Sequence, residues 1–334
     1  MNTKRLTNLF GSLHWLLSFS LIVAAIVAAS ILFLEPLLRQ VSLLPDTGAA
    51  WYYWKLPDPT WLTRASAWGG YLLHQLFLWA VIAWAQRNRH LLADRNRLHT
   101  INYIALGGTL AFVALHYAQT AFFYDGLAQD VSVFSSQASV VMLLVIVLII
   151  EAPRRGLIMG RGKAQFFKNI RPIFIRYHGY YFAWAITYTF WFHPMETTFG
   201  HLLGFFYTFM LFIQAGFIFT RVHTNRYWTI LLEVGVLVHG VSVALIAGQE
   251  FWPMFAFGFA LMFVLTQMYG IDLSRFWLNS LWLVFFLLLV LVYNQRGWAN
   301  IHEIFRIPII DYVLVLVLAG IVALVMRLRA KSTS

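Results

Sequence analysis

Residues 131–155 read VSVFSSQASVVMLLVIVLIIEAPRR. No charged side chain occurs between Val131 and Ile150, and the stretch has the length of about 20 residues that a helix needs to cross a bilayer core. Glu151, Pro153, Arg154 and Arg155 close it. An apolar run of spanning length with arginines at one end reads as a transmembrane helix that leaves the membrane on its cytoplasmic side. Working outward, nine further segments have the same character. With 131–151, the approximate limits are 12–34, 67–86, 100–122, 174–192, 198–220, 227–247, 251–270, 276–294 and 308–327. The expected fold is all-α: a polytopic membrane helix bundle of about ten transmembrane helices, with residues 1–334 as a single integral membrane domain.

Composition agrees. Hydrophobic residues make up 60% of the chain and charged residues 11%, where a soluble domain carries about 25% charged. The first apolar run follows Lys4 and Arg5 but continues for longer than a signal-peptide core, so it is read as a retained span. Cysteine is absent, which excludes disulfides, thiolate metal sites and cysteine nucleophiles.

The basic residues set the orientation. With the N-terminus inside, nineteen of the 24 Lys and Arg fall in inner connections and five (Arg39, Lys55, Arg64, Arg296 and Arg306) in outer ones. That bias predicts an N-in, C-in topology. It also accounts for the net charge of +11: the inner arginines and lysines face an anionic leaflet. The expected partners are therefore membrane lipids, with other membrane subunits as an alternative, and no nucleic acid. The expected location is the cytoplasmic (inner) membrane, as a multi-pass protein. The outer connection 35–66 contains WYYWKLPDPTW at 51–61, whose aromatics suit the membrane interface and whose prolines exclude a regular helix. GRGK at 160–163 lacks the GK[ST] ending of a phosphate loop.

Polar residues inside spans are costly and default to functional hypotheses. Counting about 1.5 Å per residue, His74, His116, His201 and His239, on four different spans, fall within about 10 Å of one another in depth, toward the outer side. His193, His302, Glu303, Asp125, Tyr117, Tyr124 and Glu250 lie at that level or just outside it, and Asp311 opens the last span. His14, His90, His99, His178 and His223 lie at the inner surface among arginines. A second polar level holds Glu233, Gln214, Gln267 and Asn279. Glu233 needs a partner or a proton, and Gln214 at matching depth on the preceding span is the expected one, forming either a buried pair or part of a proton relay.

The stretch FHPMETTFGHLLGFF at 192–206 puts His193, Glu196 and His201 around Pro194. Pro and Glu in these positions also suit a helix start. Imidazole suits Zn, Cu and haem iron, with carboxylate as a further ligand. The leading expectation is an outer histidine/carboxylate cavity binding a metal ion (Cu, Zn or Fe) or b-type haem, with redox function. His74, His116 and His239 would hold the cofactor, and His193, Glu196 and His201 would offer metal ligands. The alternatives are a transporter of a small or lipid-like solute, and a membrane-embedded transferase with a histidine general base acting at the outer leaflet.

Overall fold

The computed structural model describes residues 3–45, 55–161, 165–246 and 248–332. The aromatic cluster at 51–54 and residues 162–163 of the GRGK stretch lie outside the described residues. Ten long helices account for the fold: α1 Thr3–Ser30, α2 Trp61–Arg87, α3 Thr100–Phe123, α4 Val133–Arg155, α5 Gln165–Phe190, α6 Phe199–Gly216, α7 Arg226–Ile246, α8 Trp252–Leu265, α9 Arg275–Arg296 and α10 Arg306–Ser332. Each of the ten expected spans falls on one of them. No strand occurs among the described residues.

Eight of these segments are long and apolar enough to cross a membrane. The other two, α2 and α5, have 27 and 26 residues but carry arginines, lysine, histidines and glutamines along their length. Their lengths suffice, and the polarity of α2 has a use in packing, described below. Exposed faces confirm the solvent. Phe286, Leu287 and Leu291 on α9 and Leu316, Ile321 and Leu324 on α10 are at least half exposed. Leaving each such side chain in water would forfeit about 1.5–3 kcal/mol relative to burial, and a contiguous band of them belongs against lipid. The chain is a multi-pass integral membrane protein.

The chain divides into two compact units, one of residues 1–140 and 179–228 and one of 141–178 and 229–334. In the first, α2 packs on α3, and α6 packs on both α1 and α3. Close approach is built into the sequence: a Cβ on Gly70 would come within 2.3 Å of the Trp191 ring. In the second unit α8 is central, packing on α9, on α10 and on a 3-10 segment at 298–305. Phe257, Leu261 and Val264 of α8 meet Phe285, Leu289 and Tyr293 of α9 and Ile304 of that segment. Glu303 fixes the segment in place. It accepts from the Tyr293 hydroxyl at 2.7 Å and from Arg296 Nε and Nη2 at 2.6 and 2.9 Å. The outer connection expected here is thus packed, with Glu303 and Ile304 buried.

Helix starts follow capping chemistry. Thr60 Oγ1 accepts from the Thr63 N–H and opens α2 directly after Pro57 and Pro59. The reading of HPME as a helix start is corrected. Residues 193–198 are outside the helix, and α6 begins at Phe199 with Thr198 as its cap. Threonine supplies the cap oxygen, which leaves Glu196 to turn elsewhere.

Candidate functional site

Two polar centres stand out, one in each unit. In the first unit, the ends of α3 and α5 are knotted together. α3 ends on Tyr124 in a left-handed conformation, φ 40°, which swings 125–130 onto the turn after α5. Leu127 N–H donates to Trp191 O at 3.0 Å and Ala128 N–H to Phe192 O at 2.8 Å. Gly126 permits this: a Cβ there would lie 2.6 Å from His193 Cα. Arg64, expected only as an outer topology residue, is the clamp. Its Nη1 donates to Asp125 Oδ1 at 2.6 Å and Gly126 O at 2.9 Å, its Nε donates to Asp130 at 3.1 Å, and its Nη2 pairs with the same carboxylate. Burial alone would raise the Asp130 carboxyl, but the hydrogen bonds from Arg64 and Trp68 outweigh it and hold the group below its usual range. Glu196 is buried and accepts from the Tyr124 hydroxyl. Burial pushes its carboxyl up, against the lowering effect of Tyr124 and the Thr197 N–H.

Four histidines of this unit, His74, His116, His193 and His201, do gather, around aromatic rings. His74 and His116 are fully buried and share Phe190 and Trp191 as neighbours: the His116 ring lies 4.3 Å from that of Trp191, and Trp191 Nε1 donates to His74 Nδ1 at 3.3 Å. His193 and His201 meet edge to face at 4.8 Å, and Phe205 lies against both His193 and His116. Most of their nitrogens lie against protein atoms. Gln119 donates to Asp125 O and Ser66 Oγ, so its carbonyl oxygen faces His116 and receives the Nδ1–H at 3.0 Å. His116 Nε2 faces His193 O at 3.2 Å. His74 Nε2 is unpartnered but sealed, with its ring stacked 4.4 Å from Phe112 and tilted against Phe212. His193 Nδ1 lies 2.7 Å from Pro194 O and His201 Nδ1 2.6 Å from Thr198 Oγ1. As placed, neither His74 nor His116 turns an unengaged nitrogen toward open space. His239 belongs to the second unit. No group of three or more His, Asp or Glu among the described residues has the spacing to hold a metal ion.

The second unit holds the other centre. Glu233 on α7 is buried, and its partner is Arg155 at the end of α4. Nη1 donates to Oε1 at 3.0 Å and Nη2 to Oε2 at 2.8 Å. The expected pair with Gln214 is therefore corrected: a guanidinium satisfies both carboxylate oxygens with one planar fork, which an amide cannot do. Gln214 instead fastens the turn after α6, receiving Trp228 Nε1–H at 2.7 Å and donating to His223 O at 2.9 Å. Arg155 is 0% exposed, so it is a buried partner and no topology signal. The chain turns directly after it at Gly156, φ 78°, a usual helix-ending conformation. The turn docks on α8 and α10, where Thr266 Oγ1 and the Tyr312 hydroxyl both donate to Leu157 O at 2.6 and 3.0 Å.

Beside the ion pair is a recess lined by Leu144, Leu148, Glu233, Met262, Gln267 and Asp311. It has room for about one water. Asp311, on α10, is 3% exposed and makes no hydrogen bond or ion pair with any described residue. Counted by depth along the sequence, Asp311 falls at the outer level and Glu233 at the inner. In the fold the two carboxylates line one recess. Family models, curated proteins and solved structures yield no match to the chain.

Proposed function

We propose that this membrane protein is a transporter of a small solute, and that Arg155, Glu233, Gln267 and Asp311 form its working site. The observation that carries this reading is the unpartnered Asp311 in the same recess as a bidentate buried ion pair. Taking two charges out of water costs several kcal/mol per ion even after relaxation. A pair of this kind, used purely as a staple, has no need of a third ionisable group beside it. Polar groups converging from several helices inside an apolar bundle are what a path for a charged or polar solute requires. The bias of basic residues favours the cytoplasmic membrane with both termini inside.

The test is electrical. The purified chain, reconstituted in proteoliposomes on a solid-supported membrane, is exposed in turn to amino acids, sugars, organic anions and organic cations. At least one class should evoke a transient current in the wild type. The double variant Arg155→Met/Glu233→Leu, which removes both charges at similar volume, should fold and give no current. A silent wild type across all four classes, or an unaltered current in the double variant, would sink the reading.

A further inference from the structure

We propose that Asp311 is the proton-loading site of this protein, taking up one proton through the recess it shares with Glu233 and Gln267 and releasing it to the opposite side of the membrane. The inference rests on the transport reading for its purpose, but the site itself stands on geometry. Asp311 is 3% exposed, unlike a surface carboxylate, and no described residue hydrogen-bonds to it. It lines a recess of single-water size. An ionised carboxylate with no donor in an apolar bundle is costly, and the cheapest relief is a proton.

The charged surroundings are sparse. Glu233 is on α7 and is neutralised by Arg155 from α4 through both oxygens. That pair offers Asp311 no free cation, and it cancels most of the Glu233 repulsion. On α10 itself Tyr312 is tied to Thr266 and Leu157 O. Of the elements packed against α10, the described residues of α8 contribute no charged group. The 298–305 segment contributes Glu303, held by Arg296, and His302, whose Nε2 lies 3.2 Å from Arg306 Nη2.

A proton fits better than a metal cation. Sodium or calcium needs about six oxygen ligands in a shell. The recess offers the Asp311 carboxylate and the Gln267 amide, because both Glu233 oxygens are engaged by Arg155. A proton needs a single oxygen. Loading forms one O–H bond on Asp311 at the expense of a hydronium or water on one side, and unloading reverses it to water on the other, so no further reactant is required. Gln267 at the recess wall can hydrogen-bond either protonation state, accepting from the acid or donating to the carboxylate.

Infrared difference spectroscopy of the purified full-length chain tests the site apart from transport. During a pH titration the wild type should show a buried carboxylic acid band that fades as pH rises. Asp311→Asn, nearly isosteric, should lack that band, and Asp311→Glu should restore it at a shifted position. Absence of the band in the wild type, its persistence in Asp311→Asn, or its removal at constant pH by exchanging potassium for sodium chloride overturns the proposal. A second arm uses vesicles containing a pH-sensitive dye and the same four solute classes. Proton movement accompanying solute should fall at least about tenfold in Asp311→Asn. A titrating Asp311 band in a protein that moves no solute upholds the proton site and removes the transport reading. Solute and proton movement unchanged in Asp311→Asn removes this inference and leaves transport standing.

Discussion

Glu233 shows what one residue's partner decides. Were it hydrogen-bonded to an amide, Glu233→Gln would be a close replacement. Its partner is a fully buried guanidinium, so the same change leaves Arg155 charged and uncompensated. Removing one member of a buried pair costs about 3–5 kcal/mol, and Glu233→Gln should lower the melting temperature of the purified protein accordingly, with Arg155→Met/Glu233→Leu regaining most of the loss. A melting temperature for Glu233→Gln equal to that of wild type would show that the pair contributes nothing. Glu196 and Asp130 act oppositely with pH. The Glu196 carboxyl is raised in the fold, so the folded state holds its proton to higher pH than the unfolded state does. Its contribution is a loss of stability as pH rises from the unfolded value of about 4.3 through the raised folded value. Asp130 is lowered, so its stabilisation is present above about 3.9 and is lost as pH falls through the depressed folded value. Thermal melts of Glu196→Gln should lack the first slope, and those of Asp130→Asn the second.

At the scale of the element, α2 separates two adjacent glycines. Gly70 faces the Trp191 ring, while a Cβ on Gly69 would meet nothing within 4 Å. Gly69→Ala should be neutral or gain up to about 1 kcal/mol from helix propensity. Gly70→Ala must displace the indole that packs on His116 and hydrogen-bonds His74 and should cost about 1–3 kcal/mol. Equal melting temperatures for the two variants would contradict the packing of α2 against the turn after α5. The polarity of α2 follows from the same role. Arg64 and Trp68 in its first turns and His74 further along spend their polar atoms on other elements of the unit, which is why the helix is less apolar than its neighbours.

For the whole molecule, the distribution of arginine and lysine makes the clearest prediction. Asp58 and Arg97 are both exposed and lie in connections assigned to opposite faces. Asp58→Cys and Arg97→Cys, in a chain with no cysteine of its own, should react with a membrane-impermeant maleimide from opposite sides of sealed vesicles. Labelling of both from one side would refute the N-in, C-in topology. The assignment survives the reassignment of Arg155, because Arg154 and the other inner basic residues still outnumber the outer ones.

Hydrophobic run length and charge asymmetry are local properties of the chain, and they determined the all-α class, the ten helices and the expected topology. No partner is needed to make twenty apolar residues insoluble in water. Partners are another matter. Arg154 and Arg155 are adjacent and chemically identical, but successive helix residues point about 100° apart. Packing alone decided that Arg155 turns inward to Glu233 while Arg154, 39% exposed, reaches Gly270 O. Depth along a span fixed one coordinate of each histidine. It brought His74, His116, His193 and His201 to attention, and the fold placed them in one unit, whereas His239 went to the other. Asp311 was legible as a carboxylate near a helix start. Its lack of a partner was not, because that depends on which side chains α4, α7 and α8 bring to the recess it lines.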